Sequence, residues 1–312
     1  MTLQNETTTD PALGCMFFGT RVSERDAFTL LDQFVAGGGT LLDTANNYAF
    51  WVDGGTGDES ELLLGRWLTT GDARDHVQLA TKIGARPRPG ARSTSDAEGL
   101  SPTAIRDQLQ GSLRRLGVDR VDLLYAHIDD RATPLAETLA TFDALVTEGV
   151  VGAVASSNYT LARQQEADAL VDAHRWAPLG AVQLRATYLT PAPGADFGVQ
   201  VSLDDDLLAY VVGRGKRVFG YSSLLAGAYA RPDQPVPEDY RHAPTAHQLA
   251  ALRSTAERLG VTVNQVVLAW LRARGVSPVL GVSRPAQLTE VLAEVELDER
   301  ARTDLDAARG LR

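Results

Sequence analysis

The chain repeats one pattern from end to end: a short apolar, β-branched run, then a longer stretch of helical period. Eight such runs are present, at residues 14–19, 40–45, 77–83, 121–128, 151–158, 181–188, 218–224 and 278–283. Several lack polar–apolar alternation, as in Val121-Asp122-Leu123-Leu124-Tyr125-Ala126, which suits strands covered on both faces. The first run is the weakest and reads equally well as a short hairpin.

The helical stretches are punctuated. Ser101-Pro102 sets a capping hydroxyl before a proline at the first helical position, and the amphipathic stretch that follows stops at Gly117. Ser23-Glu24-Arg25-Asp26 resembles a capping box with Asp in place of Glu, opening a helix that ends at Gly37-Gly38-Gly39. Thr133-Pro134 opens another, closed by Gly149. No Pro/Ser-rich linker or charge block breaks the alternation, so the expectation is a single domain over residues 1–312. Right-handed crossovers between eight strands favour an α/β fold of the closed (β/α)₈ TIM barrel type, with an open doubly wound sheet as the alternative.

Composition narrows function by exclusion. A formal charge of −10 repels nucleic acid and anionic membranes, so neither is an expected partner. No uninterrupted apolar run is long enough to span a bilayer, and the polar stretch 1–10 does not read as a secretory leader. The single cysteine, Cys15, permits no internal disulfide and fits a cytoplasmic location.

In a barrel, chemistry gathers at the C-terminal ends of the strands. Asp43, Lys82 and His127 stand near the ends of the second, third and fourth runs, and Tyr48 follows five residues after Asp43 on the same outgoing loop. An acid, a cation, a phenol and an imidazole form a coherent proton-donating group. Carbonyl reduction needs a proton on oxygen, and a phenol donates poorly at neutral pH unless a neighbouring ammonium lowers its pKa. Lys82 is expected to lower that of Tyr48, Asp43 to pair with Lys82, and His127 to hydrogen-bond the substrate oxygen. Long loops at residues 49–58, 190–202 and 226–244 follow strand ends and are expected to shape a substrate pocket.

These residues carry a resemblance that runs through essentially the whole chain. Leu42-Asp43-Thr44-Ala45-Asn46-Asn47-Tyr48 is similar to the Asp-Thr-Ala-x-x-Tyr signature of the aldo-keto reductases, Ala80-Thr81-Lys82 to their third-strand lysine, and Tyr125-Ala126-His127-Ile128-Asp129 to their histidine strand. The resemblance implies reduction of an aldehyde or ketone, including keto-sugars and cyclic or aromatic carbonyls. It implies that Ser157, Asn158 and Gln183 hold a nicotinamide carboxamide and that Tyr221, beside Ser222 and Leu224, stacks on the nicotinamide ring. It also implies that Gly281, Ser283, Arg284, Gln287 and Glu290 form the adenosine end. Arg284 and Ser283 at a helix start would hold a ribose 2′-phosphate, so NADPH is the implied cofactor. Phe50 and Trp51 are expected as aromatic pocket walls.

Three positions depart from the family pattern: Ala49 where Gly commonly follows the tyrosine, Arg185 where a neutral or acidic residue is usual, and Val291 for an expected Asn. Gly54-Gly55-Thr56-Gly57 lacks the strand–turn–helix setting of a dinucleotide fingerprint, and Gly213-Arg214-Gly215-Lys216 lacks phosphate-loop spacing. Two other functions compete. One is a metal-dependent hydrolase or isomerase using His127, Asp129, Asp130 and Asp43, disfavoured by Lys82 beside the cation. The other is a non-enzymatic NADP(H)-binding sensor. Oligomeric state and natural substrate are not legible.

Overall fold

The computed structural model describes residues 8–91 and 93–311, so residues 1–7 of the stretch read for a leader lie outside the described residues. The eight strands are Ala12–Gly14 (β1), Leu41–Asp43 (β2), Gln78–Ile83 (β3), Val121–Ala126 (β4), Val151–Ser157 (β5), Leu179–Arg185 (β6), Arg217–Tyr221 (β7) and Val276–Leu280 (β8). They close in sequence order, each parallel to its neighbours, with β8 returning to β1. A helix follows each of the first six: Glu24–Ala36 (α1), Glu59–Leu68 (α2), Pro102–Leu116 (α3), Leu135–Thr147 (α4), Leu161–His174 (α5) and Asp205–Gly213 (α6). Thr245–Leu259 (α7) and Val263–Ala273 (α8) follow β7, and Pro285–Leu292 (α9) and Glu299–Arg309 (α10) follow β8. This is the (β/α)₈ barrel.

Side chains alternate across each strand, and that period of two divides the core. Ala12, Leu41, Ala80, Leu123, Tyr125, Ala155, Ala181 and Phe219 make one buried cluster, the filled interior of the barrel. Their strand neighbours Leu13, Leu42, Leu79, Leu124 and Val154 face the other way, into the layer shared with the helices. Two residues beyond the interior cluster, on the same face, lie Asp43, Lys82, His127, Ser157, Gln183 and Tyr221. The strand pleat therefore aims six of the expected site residues at the barrel axis.

Several local expectations need correction. β1 is Ala12–Gly14, and only Gly14 of the expected run belongs to it. Beyond Gly14 the chain turns, with Phe18 N–H donating to the Cys15 carbonyl and Gly19 at a φ of 81°. β8 likewise begins earlier and ends at Leu280. Ser101 caps α3 by accepting from Ala104 N–H, and Gly117 ends it in the left-handed region, as expected. At α1, Ser23 accepts from Asp26 N–H but gives its own hydroxyl proton to the Asp26 carboxylate; this short side chain stays on the hydroxyl instead of reaching back to the Ser23 backbone. Thr133 does not cap α4: its hydroxyl donates to Asp130, and Pro134 occupies the cap without a side-chain bond.

Lys216, from the discarded glycine-rich segment, is buried and donates to Asp168 at 2.6 Å and to Gln164 at 3.0 Å, a brace between α5 and the start of β7. No helix among the described residues is long and apolar enough to cross a membrane.

Helices α2 and α3 approach tightly at Gly65 of α2, where a Cβ would sit 2.3 Å from the Arg115 carbonyl oxygen at the end of α3. Gly65→Ala forces this backbone contact apart and should cost about 1–3 kcal/mol by overpacking, despite alanine's better helix propensity. Chemical denaturation of the purified variant measures it. Unchanged stability would show that the two helices separate without cost.

Candidate active site

The inward ends of β2 and β3 meet in a buried ion pair. Lys82 Nζ lies 2.6 Å from Asp43 Oδ2, with relative exposures of 0% and 1%. The ammonium has three N–H donors and uses all of them: on Asp43, on the Thr44 carbonyl at 3.0 Å and on the Tyr48 hydroxyl at 2.6 Å. Tyr48 in turn donates to Asp43 Oδ2 at 2.9 Å, and Gln183 Nε2 donates to the other carboxylate oxygen at 2.8 Å. Asp43, Lys82, Tyr48 and Gln183 thus form one hydrogen-bonded unit from three strand ends and one loop. His127 lies beside this unit without joining its hydrogen bonds, its ring edge-on to Tyr48 at a centroid distance of 5.9 Å and its Nδ1 buried without a partner.

Burial dominates the protonation of these groups. It pushes the Lys82 ammonium below its ordinary value, and the Asp43 carboxylate opposes that push. It also holds His127 well below its ordinary value, reinforced by the Lys82 charge, so the imidazole is neutral at pH 7. Tyr48 contradicts its expectation. Lys82 does not leave its phenol with a lowered pKa: burial first, then the Asp43 charge and the hydrogen bond to that carboxylate, holds it well above the usual phenol value. The phenol is a fully protonated donor, and the ammonium at 2.6 Å is placed to stabilise the oxygen once its proton leaves.

The residues expected around the nicotinamide lie on the next three strand ends. Ser157 of β5 pairs in register with Gln183 of β6. Asn158, in the left-handed region with a φ of 61°, donates to the His127 carbonyl and to Ser157 Oγ. Its carbonyl oxygen accepts from the Tyr221 hydroxyl at 2.7 Å. Ser222 also has a positive φ and, with Leu224, continues the turn out of β7.

The expected adenosine end is separate, at the start of α9. Arg284 is exposed at the N-cap; its carbonyl accepts from Gln287 and Leu288 N–H, while its guanidinium has no hydrogen bond or ion pair among the described residues. Gly281 is exposed just ahead of it, and Ser283 donates through its N–H and hydroxyl to Gln287 Oε1. The Glu290 carboxylate accepts through Oε1 from Thr262 and Asn264 at the start of α8. Val291, in place of the expected Asn, is buried in the core.

The loop at 49–58 carries Phe50 and Trp51 packed edge-to-face at 5.1 Å, with Trp51 49% exposed. Ala49 takes a φ of 61°, which explains the glycine usual in that place. Arg86, which sequence reasoning missed, donates to the Asn46 carbonyl and to Asp58, tying both ends of this loop together. Its signal was only a charge three residues past a buried strand. Asp129 is engaged by Arg163 and Arg131, and Asp130 accepts from two backbone N–H groups and Thr133. The carboxylates that a metal site would need are therefore committed elsewhere.

Comparison with known proteins agrees with this architecture. The model of the aldo/keto reductase family matches residues 12–309. An aldo-keto reductase, str7, of Strobilurus tenacellus is 30% identical over 83% of this chain and 72% of its own length. An uncharacterized oxidoreductase, YrpG, of Bacillus subtilis (strain 168) is 29% identical over 91% and 86%. An aryl-alcohol dehydrogenase, GME11368, of Pestalotiopsis microspora is 27% identical over 87% and 69%. A family match along nearly the whole barrel, on a chain whose Asp43, Lys82, Tyr48 and His127 meet at its mouth, makes this protein a member of the aldo/keto reductase family, an oxidoreductase.

Proposed function

We propose that this protein reduces an aldehyde or ketone to an alcohol with NADPH, as a single barrel domain in the cytoplasm, and that Tyr48 delivers the proton. The observation that carries the reading is the buried Asp43–Lys82–Tyr48 chain with neutral His127 against it. A bound nicotinamide supplies the hydride to the carbonyl carbon. The chain's own residues handle the oxygen. As negative charge develops there, the Tyr48 hydroxyl turns from Asp43 toward it and gives up its proton, while Lys82 stabilises the phenolate and Asp43 holds Lys82 in place. His127, kept neutral, offers a hydrogen bond without adding a second cation beside Lys82.

The residues fit the cofactor's chemistry. Ser157, Asn158 and Gln183 present hydroxyl and amide groups on adjacent strand ends, matching a carboxamide's donors and acceptors, and Tyr221 offers an aromatic face. Arg284, free at a helix N-terminus, favours a 2′-phosphate, which supports NADPH over NADH. Phe50 and Trp51, with the name of the aryl-alcohol dehydrogenase relative, support a cyclic or aromatic carbonyl.

Tyr48→Phe keeps the ring and removes the acid. NADPH oxidation across a panel of aldehydes, ketones and keto-sugars should fall about 10²- to 10⁴-fold, with NADPH affinity nearly unchanged. Near-normal turnover in the folded, NADPH-bound variant would shift the acid to another group.

Cofactor choice is read separately. The unmodified protein should bind NADPH more tightly than NADH, and Arg284→Ala should erase most of the difference. Equal affinities before mutation would rule out Arg284 as a phosphate ligand.

His127 gives a pH test. Its folded-state pKa is depressed, so below the unfolded value of about 6.5 the unfolded chain binds the extra proton and stability falls with pH. His127→Gln should flatten the decline in melting temperature between about pH 6.5 and pH 5. An identical decline in the variant would assign that pH dependence to other groups.

A further inference from the structure

β6 ends on Arg185, one of the three departures from the family pattern. Its half-buried guanidinium joins three separate segments. Nε donates to the Tyr240 hydroxyl at 2.7 Å, and one terminal nitrogen donates to Gln200 Oε1 at 2.9 Å and to Ser222 Oγ at 3.3 Å. The same cation lies 4.5 Å from the centre of the Phe197 ring and 5.5 Å from that of Tyr240. Phe197 and Gln200 belong to the loop at 190–202, Tyr240 to the loop at 226–244, and Ser222 to the turn leaving β7. The backbone of Arg185 adds two bonds to the first loop, from its N–H to the Val201 carbonyl and from Leu203 N–H to its own carbonyl.

We propose that Arg185 is a positioning residue that holds these two loops in place over the substrate side of the mouth and so sets the affinity for the carbonyl substrate. This rests on the reduction proposed above. A planar fork suits the task because its donors point along fixed, divergent directions while its face lies on an aromatic ring; an ammonium cannot do both. Away from Arg185 the loops are braced to each other, by Ala192 N–H on the Asp239 carbonyl at 2.6 Å and by His242 Nε2 with the Thr190 carbonyl at 2.9 Å. Loss of the guanidinium therefore frees their inner edge without dismantling them.

The test uses Arg185→Gln, Arg185→Lys and Phe197→Leu in the full-length protein, with steady-state kinetics at saturating NADPH, direct NADPH titration and hydrogen exchange read by mass spectrometry. In Arg185→Gln the carbonyl KM should rise about tenfold, while kcat and NADPH affinity stay within about threefold. Exchange should quicken at 190–202 and 226–244 and nowhere else. Arg185→Lys should retain most of the defect, because charge alone does not bridge three segments. Phe197→Leu, which leaves the arginine's hydrogen bonds intact, should raise KM less, and it replaces Arg185→Gln as the decisive variant if that protein fails to fold. An unchanged KM with unchanged exchange overturns the proposal, as does a loss of NADPH affinity at constant KM, which would assign Arg185 to the cofactor. If the unmodified protein reduces no carbonyl, the reduction fails, and the loop tie stands or falls on the exchange alone.

Discussion

Burying an ammonium and a carboxylate together costs several kcal/mol per ion in lost hydration, and only close geometry with further hydrogen bonds offsets it. Lys82 and Asp43 meet that condition at 2.6 Å. The Thr44 carbonyl and the Tyr48 hydroxyl take the remaining lysine donors, while Gln183 and Tyr48 donate to the carboxylate. Removing either ion strands the other in the barrel interior, and so the pair fixes much around it. The Tyr48 loop must return close enough to meet the ammonium, β6 must present an amide at Gln183, and His127 must stay uncharged beside an existing cation.

The barrel delivers these groups through the strand pleat. Ala80 and Lys82, Tyr125 and His127, Ala155 and Ser157, and Phe219 and Tyr221 are each two residues apart, the first packing the interior and the second emerging at the mouth. A shift of one residue in any strand would turn its functional group into the helix layer. That is why Asp43, Lys82 and His127 were legible in the sequence: a titratable group at the end of an apolar run has one face to occupy. β1 was not legible, because three residues of Ala-Leu-Gly carry too little pattern to locate a strand. The role of Arg185 was hidden for a different reason. Its partners Phe197, Gln200 and Tyr240 lie on loops with no period, so nothing in their spacing ties them to a strand end. The direction of the Tyr48 shift was hidden too, since a list of neighbours names both a cation and an anion without their distances or the burial that outweighs them.

Departures from local rules cluster where the loops leave the strands. Ala49, Asn158 and Ser222 all hold positive φ values; Asn158 and Ser222 directly follow β5 and β7, and Ala49 directly follows Tyr48. An L-residue there costs roughly 1 kcal/mol relative to glycine. At Asn158 the conformation is compensated by four partners of its side chain, His127, Ser157, Tyr221 and Val201, and by its N–H on the Gln183 carbonyl. At Ala49 the side chain is buried and carries no polar group, so no side-chain hydrogen bond compensates it.

Most polar groups of the site are satisfied within it, the buried His127 Nδ1 being an exception without a hydrogen-bond partner. The Tyr48 proton rests on Asp43, the Gln183 amide on Asp43, and the Asn158 amide on His127 and Ser157. Groups bound this way cost little in the unliganded fold, because buried polar atoms left bare would each cost about 1–3 kcal/mol. The consequence falls on binding. A ligand that engages Tyr48, Gln183 or Asn158 gains only the difference between its own hydrogen bond and the one it displaces, so those contacts orient more than they attract. On the proposed function, net attraction comes mainly from groups without a partner to give up. The Arg284 guanidinium, the buried His127 Nδ1 and the exposed face of Trp51 are such groups. On the proposed function the central hydrogen bonds orient a ligand and the partnerless groups attract it, while the Tyr48 proton passes from Asp43 to the substrate oxygen within a network that is already formed.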